Sequence, residues 1–371
     1  MSVKRILVIG GGIGGLTAAI ALRSKNYMVD VIERDPDWTV YGVGIIQQSN
    51  VVRAMDQLGL LDDYLSAGVG FDAVEIFFPD GTQAARVPSP RLVEGKPANV
   101  GIGRPALHKV LGDRTIASGA TVKLGMTCDS LEDDGDSVNV RFSNGTSARY
   151  DLVVGADGIY SQTRSAIFPD APKPQFTGQA VWRYNFERPA GLDALQVYNG
   201  PTGVGLVPIS AELMYMYATT PEPSNPRYAR EGLASRMRDK LSGTAPAIRA
   251  LAEQIVSDDD VVYRPLEGLL VKGSWHKGRV VLVGDAVHAT TPHLGQGAGM
   301  AIEDSLVLAD ELSGHDDLDE ALIAYRDRRF ERCAYIVNAS LAICHGQIGK
   351  GPPVDNAAAT HDMFAVVAQP I

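Results

Sequence analysis

Arg5-Ile-Leu-Val-Ile-Gly10-Gly-Gly-Ile-Gly-Gly15, followed by Met28-Val-Asp-Val-Ile-Glu33, is the stretch that decides the fold. Arg5 to Ile9 is apolar and β-prone, Leu16 to Leu22 is helix-prone, and Met28 to Ile32 is a second short strand. Together they form a βαβ unit. Its first turn carries Gly10, Gly12 and Gly15 in the spacing G-x-G-x-x-G. Glycine at these places allows a tight turn, a close approach of backbone to a pyrophosphate, and close packing of helix on strand. The helix N-terminus that follows supplies oriented N–H donors, to which Ile13 and Gly14 contribute. Glu33 lies 18 residues beyond Gly15, close to the spacing at which a carboxylate accepts hydrogen bonds from an adenosine ribose. Strand, glycines, helix, strand and acid together predict a dinucleotide site.

Two later stretches repeat the theme of an acid delivered by an apolar strand. Asp151-Leu-Val-Val-Gly-Ala-Asp-Gly-Ile-Tyr-Ser-Gln-Thr-Arg164 brings Asp157 and Gly158 to a strand's carboxyl end, where ligands of open α/β sheets bind. By itself it reads first as a strand, a turn and a capped helix. Val283-Gly-Asp-Ala-Val-His288, continuing to Thr291-Pro-His-Leu-Gly-Gln-Gly-Ala298, puts Asp285 after another strand. A glycine-rich loop then opens a second helix, whose N-terminus favours an anion or a carbonyl oxygen.

Between these stretches, Val138 to Tyr150 alternates like a hairpin around Asn144-Gly145, and Leu152 to Val154 reads as a buried strand. From about 176 to 266 the chain turns to aromatic-rich strands (Val181 to Tyr184, Val204 to Val207, Met214 to Tyr217) with a proline-rich bridge at Thr220 to Pro226. Arg279 to Val283 is again a strand, Gly297 to Leu312 a helix, and Leu318 to Leu341 one long helix. The expectation is an α/β, three-layer, Rossmann-like domain interleaved with a β-rich layer and followed by a long C-terminal helix. Residues 1–75, 98–175 and 267–350 would form the first domain, 76–97 and 176–266 the second, and 351–371 a tail that the pattern does not place.

The 371 residues, 45% of them apolar, suffice for a large core. A net charge of -10 with scattered Lys and Arg gives no footprint for nucleic acid. Cys128, Cys333 and Cys344 form no Cys-x-x-Cys pair, which fits a reducing cytoplasm, and the dispersed histidines suggest no metal site. Lys4-Arg5 before an apolar run could pass for a signal peptide, but five glycines from Gly10 to Gly15 argue against it. No membrane span is expected.

In this order and spacing the three stretches resemble the group A flavoprotein aromatic hydroxylases, the family of para-hydroxybenzoate and salicylate hydroxylases. The resemblance runs from Lys4 to about Leu341. It implies FAD as cofactor, NADH or NADPH as transient co-substrate, and O2 with a small aromatic or N-heteroaromatic compound, phenolic or carboxylated, as substrates of a monomer or homodimer. It also implies roles. Glu33 and Arg34 would address the adenosine end, Arg104 the phosphates, Asp157 the neighbourhood of the pyrophosphate, and Asp285 the ribitol hydroxyls. Gly295, Gln296, Gly297 and Ala298 would set backbone N–H groups near the flavin ring, and Pro292 would stand beside flavin and substrate. No second G-x-G-x-x-G follows a later strand, and no cysteine pair passes electrons, which favours a hydroxylase that binds its reductant briefly.

Substrate-side candidates follow from position. Tyr215 and Tyr217 share one face of a strand by period-two alternation, and either a pocket or a core role suits them. His293 could hydrogen-bond a ring substituent or assist proton removal. Gln47, Gln48 and Arg183 are weaker candidates, Arg183 as partner of a substrate carboxylate. His288 would anchor its loop. A flavin dehydrogenase or oxidase, or a flavin-binding protein without catalysis, stands as the alternative.

Overall fold

The computed structural model describes residues 3–371. Its centre is a six-stranded sheet in the order His276–Lys277, Val280–Leu282, Leu152–Gly155, Arg5–Ile9, Met28–Glu33, Thr121–Leu124. All neighbours are parallel except the antiparallel edge pair. Ile6, Leu7 and Val8 are wholly buried, as expected of a parallel strand covered on both faces. On one face lie the helices Ile13–Ser24 and Gly297–Gly314, which approach closely enough for Thr17 and Ser305 to share a hydrogen bond of 2.8 Å. The expected hairpin is present as Val138–Phe142 and Ser147–Tyr150, paired in a three-stranded sheet with Cys128–Asp133. Gly145 takes the left-handed φ of 81° that its turn requires.

The aromatic-rich strands build a seven-stranded sheet: Val262–Gly268, Gln175–Glu187, Leu213–Pro221, Gly203–Pro208, Leu195–Tyr198, Ala73–Phe77, Gln83–Pro88. A separate apolar cluster forms on it, with Trp182, Met214 and Met216 packed against the helices Leu233–Leu241 and Pro246–Ala252. A small sheet of Gly44–Gln47, Asn99–Gly103 and Gly68–Phe71 completes the strands.

The long helix, Leu318–Gln347, is N-capped by Asp317, whose carboxylate accepts from Glu320 N at 3.0 Å. It ties the two large sheets together. Near its start Tyr325 OH donates to Leu282 O at 3.2 Å, and near its end Cys344 Sγ donates to Gln179 Oε1 at 3.1 Å. The tail after Gly349 folds into a further helix, Asn356–Ala368, capped by Asp355. Arg53 donates to the free carbonyls of Val367 and Ala368 at that helix's end, where a cation meets the negative pole. Among the described residues no helix is long and apolar enough to cross a membrane.

Candidate active site

The strand ends of the central sheet open on a cleft of about 1010 Å³, walled on its far side by the seven-stranded sheet. The glycine loop forms one end. A Cβ on Gly10 would lie 2.4 Å from Ala156 O, and one on Gly15 would lie 1.8 Å from Gly10 O, so both are fixed by close packing behind the loop. A Cβ on Gly12 would meet nothing within 4 Å, because Gly12 faces the cleft beside Ile13 and Gly14. Glu33 accepts from Gly11 N at 2.7 Å and Asp35 N at 2.9 Å, which bends the chain after the second strand around the loop. Two residues without a motif complete the clamp: Trp38 Nε1 and His108 Nε2 both reach Gly11 O, at 2.9 and 3.1 Å. Arg34 is exposed on the rim.

Arg104 begins the helix Arg104–Ala117, its backbone N donates to Val43 O at 2.9 Å, and its guanidinium lines the cleft without a hydrogen-bond partner among the described residues. Burial lowers its pKa from the usual arginine value. Arg183 faces the same space, its pKa lowered to about 10 by burial and then by the charge of Arg104. Neither guanidinium is in a salt bridge among the described residues, and Asp285 is the one carboxylate whose charge reaches Arg104, so the pair favours an anionic occupant. Asp285 is exposed on the cleft wall, and desolvation by the surrounding protein raises its carboxyl pKa against the opposing pull of His288 and Arg104. Asp157 is differently employed. Its carboxylate accepts from Ser161 Oγ at 2.5 Å, Thr163 N at 2.9 Å and Thr163 Oγ1 at 3.0 Å, capping the helix Gln162–Ile167, while its neighbours Ala156 and Gly158 line the cleft. Arg164 donates to Ala286 O at 2.8 Å and Ile159 O at 2.9 Å, stitching this loop to the segment that carries Asp285.

Pro292, Gly295, Gly297 and Ala298 line the middle of the cleft, and Gly295 takes a left-handed φ of 66°. Gln296 turns away from it and joins Gln48 and Asn50 in a buried amide network. Tyr215 and Tyr217 both face the cleft, with ring centroids 6.0 Å apart. Each ring rests on a glycine. A Cβ on Gly44 would come within 2.3 Å of Tyr215, and one on Gly205 within 2.0 Å of Tyr217. Past Ile46, Tyr217, Pro292 and Gly295 the cleft gives way to a chamber of about 50 Å³ lined by Gln48, Thr219, His293 and Gln347 among mainly apolar neighbours. His293 Nδ1 pairs with Thr291 Oγ1 at 2.9 Å and Nε2 with Gln347 Oε1 at 3.1 Å. Burial pushes its pKa down to about 4, so the ring is neutral at physiological pH. Gln47 is buried and its amide donates to the adjacent Ile46 O.

Behind the Asp285 segment lies a buried charge network of which the sequence suggests only His288, as the anchor of its loop. Asp304 accepts from Gly284 N at 2.8 Å, His288 Nε2 at 2.6 Å and Arg329 Nε at 2.8 Å, and Arg329 also meets Glu303 at 2.6 Å. His288, Asp304 and Cys333 lie within 4.8 Å of one another, a spacing a metal could use. The Arg329 guanidinium already occupies the Asp304 carboxylate, which suits an ion-pair anchor better than a cation site.

Comparison with known proteins agrees with this geometry. A family model described as "FAD binding domain" matches residues 4–340. The 2-heptyl-3-hydroxy-4(1H)-quinolone synthase of Pseudomonas aeruginosa is 31% identical over 355 residues, 93% of this chain and 89% of that protein. The 3-amino-4-hydroxybenzoate 2-monooxygenase of Streptomyces cremeus is 32% identical over 349 residues, 90% of this chain and 84% of that protein. Among solved structures, Klebsiella pneumoniae HpxO complexed with FAD and uric acid superposes with a TM-score of 0.82 at 27% identity, covering 98% of this chain and 92% of that one. The chain belongs to the FAD-dependent monooxygenase family, in the phenol and salicylate hydroxylase-like group that the spacing of its three strand-borne stretches resembles.

Proposed function

We propose that the protein hydroxylates a small aromatic or N-heteroaromatic compound, consuming one NADH or NADPH and one O2 and releasing water with the hydroxylated product. The observation that carries this reading is the adjacency of the two cavities: a cleft with a glycine-and-acid cradle at one end shares Ile46, Tyr217, Pro292 and Gly295 as walls with a smaller, mainly apolar chamber. The residues fit FAD. Gly12 opens a helix N-terminus towards the cleft, Arg104 brings a cation without a protein partner, Glu33 stands at the adenosine end, and Asp285 offers a carboxylate to hydroxyl groups. When bound, FAD supplies the redox chemistry, accepting a hydride and passing two electrons to O2.

The remaining work falls to the chain. The N-terminus of the helix Gly297–Gly314, with Gly297 and Ala298 open to the cleft, favours negative charge on a ring placed there. Tyr217 and Pro292 wall the passage and hold water away from it. Tyr217 stays protonated, because burial raises its pKa, so its hydroxyl is a donor and not a base. His293 has both ring nitrogens engaged and acts as a strut that fixes the Gln347 amide. Arg183, beside Tyr215, would meet an anion in the cleft.

Anaerobic mixing of the FAD-loaded protein with NADH and with NADPH, with and without a panel of hydroxylated aromatic and heteroaromatic compounds, tests the reading. The expected result is a large acceleration of flavin reduction by one class of compound and incorporation of one atom of labelled O2 into its product. Reduction without labelled product would make the protein a dehydrogenase or oxidase.

A further inference from the structure

The chamber beyond Tyr217 has an unusual chemical character. The lining residues include no Lys, Arg, Asp or Glu. Val74, Ile76, Leu195 and Val197 come from one edge of the seven-stranded sheet, with Ile343 and Met363 from the last two helices. Its one imidazole, His293, is neutral and doubly hydrogen-bonded. An ionised carboxylate placed here would lose its hydration and gain no cation.

The polar groups converge on one amide. Gln347 Oε1 receives Gln179 Nε2 at 3.0 Å, His293 Nε2 at 3.1 Å and Thr219 Oγ1 at 3.3 Å. Cys344 Sγ donates to Gln179 Oε1 and so leaves the Gln179 NH2 facing Gln347, and these contacts set Gln347 Oε1 as the accepting end of its amide. They also require His293 to carry its proton on Nε2 and to accept from Thr291 on Nδ1. The opposite end, Gln347 Nε2, has no hydrogen-bond partner among the described residues. It stands beside Gly203, where a Cβ would come within 2.9 Å of it. A pinned donor next to a position with no side chain, in a chamber without charge, is a receptor for a neutral oxygen acceptor.

We propose that the ring edge entering this chamber is the uncharged edge of a hydroxy- or oxo-heteroarene whose oxygen accepts a hydrogen bond from Gln347 Nε2, and that a ring with a carboxylate on that edge is rejected. For chemistry, though not for binding, the proposal rests on the monooxygenase reading of the site. An apolar cavity of about 150 Å³ suits a benzene ring, so at about 50 Å³ the chamber holds only the oxygen-bearing edge. The rest of the ring then lies in the passage between Tyr217 and Pro292, towards the cleft.

The test is titration of the FAD-loaded protein, followed by the flavin absorbance, with 4(1H)-quinolone and with quinoline-4-carboxylate, which puts a carboxylate where the neutral ligand puts its oxygen. The neutral compound is expected to bind on the order of a hundredfold tighter. Gln347→Leu should weaken its binding about tenfold or more by removing the donor. Flavin content, read from the same spectra, separates loss of cofactor from loss of ligand. If Gln347→Leu does not fold, the near-isosteric Gln347→Glu, which replaces the donor by an acceptor, carries the same expectation. Equal or tighter binding of the carboxylate, above all if Arg183→Gln abolishes it, overturns the proposal in favour of anion recognition in the cleft. Undetectable binding of the neutral compound, or unchanged affinity in both Gln347 variants, overturns it as well. Tight neutral binding without a hydroxylated product would leave the proposal standing and sink the monooxygenase reading instead.

Discussion

Tyr217 is seated on the backbone of its strand partner Gly205: a Cβ on Gly205 would fall 2.0 Å from Tyr217 Cε1 and 2.1 Å from Cζ. The ring can face the cleft because the neighbouring strand has no side chain at that place. Gly205→Ala must push the ring aside or strain the sheet, at an expected cost of about 1–3 kcal/mol. With Tyr217→Ala in the same chain the clash disappears, so most of that cost should vanish. Urea denaturation of the two single variants and the double variant measures the coupling. Additive effects would mean that the ring does not depend on Gly205.

Asp304 holds the segment that presents Asp285, through Gly284 N on one side and His288 on the other. Asp304→Asn leaves a charged His288 without its buried carboxylate and Arg329 with Glu303 alone, a loss of about 3–5 kcal/mol for a broken buried pair. Lower FAD content should accompany it. A variant with unchanged thermal stability would show that the network is dispensable.

The same pair sets a pH dependence. Burial alone would depress the His288 pKa, but Asp304 more than offsets it and the net shift is well upward. A histidine with a raised folded-state pKa stabilises fully below its unfolded value of about 6.5. That stability is lost as pH rises through the folded-state pKa. For Asp304 burial pushes upward, His288 and then Arg329 pull down, and the result is about 2. Its contribution is present above about pH 4 and is lost as pH falls towards 2. His288→Gln should therefore flatten the alkaline side of a melting-temperature profile, whereas an alkaline fall as steep as in the unsubstituted protein would assign that limb to other groups.

What was legible in the sequence was local. Strand, glycines, helix and acid lie within Arg5 to Glu33, and each signal is a periodicity or a turn requirement that needs no distant partner. The hairpin at Asn144-Gly145 and the helix from Leu318 are legible for the same reason. Gln347 carries no signature, because its function arises when Gln179, Thr219 and His293 converge on it from elements far apart in the chain. Glu303 and Asp304 look like surface acids until Arg329, on the next helix, is packed over them. Asp157 shows the converse. Its place in a strand-end motif suggests a ligand contact, but the carboxylate is occupied by Ser161 and Thr163.

Asp285 should show effects of opposite sign on the apoprotein and on cofactor retention. Desolvation raises its carboxyl pKa although the open cleft leaves the side chain exposed to water, so Asp285→Asn should raise the melting temperature of the apoprotein slightly near neutral pH. The same change removes a charged acceptor from the cleft and should lower FAD content. Retention of a full complement of FAD would remove Asp285 from the proposed binding set.

The terminal helix Asn356–Ala368 closes the far wall of the chamber with Asn356, Thr360 and Met363, and arginines latch it at its end. Arg53 donates to Val367 O at 3.2 Å and Ala368 O at 3.1 Å, and Arg332 to Gln369 O at 2.9 Å and Pro370 O at 2.7 Å. Both guanidiniums also lean on Glu303, so they are held in place before the helix docks. Replacing both by Ala removes four charge-assisted contacts, each worth about 1.5–3 kcal/mol at most. The helix should then open locally while the rest of the protein stays folded. Hydrogen exchange should accelerate at least tenfold across residues 356–368 and stay unchanged in Arg5–Ile9. Uniform acceleration of both segments would instead mean that the latch contributes to global stability and that the chamber wall has no independent motion.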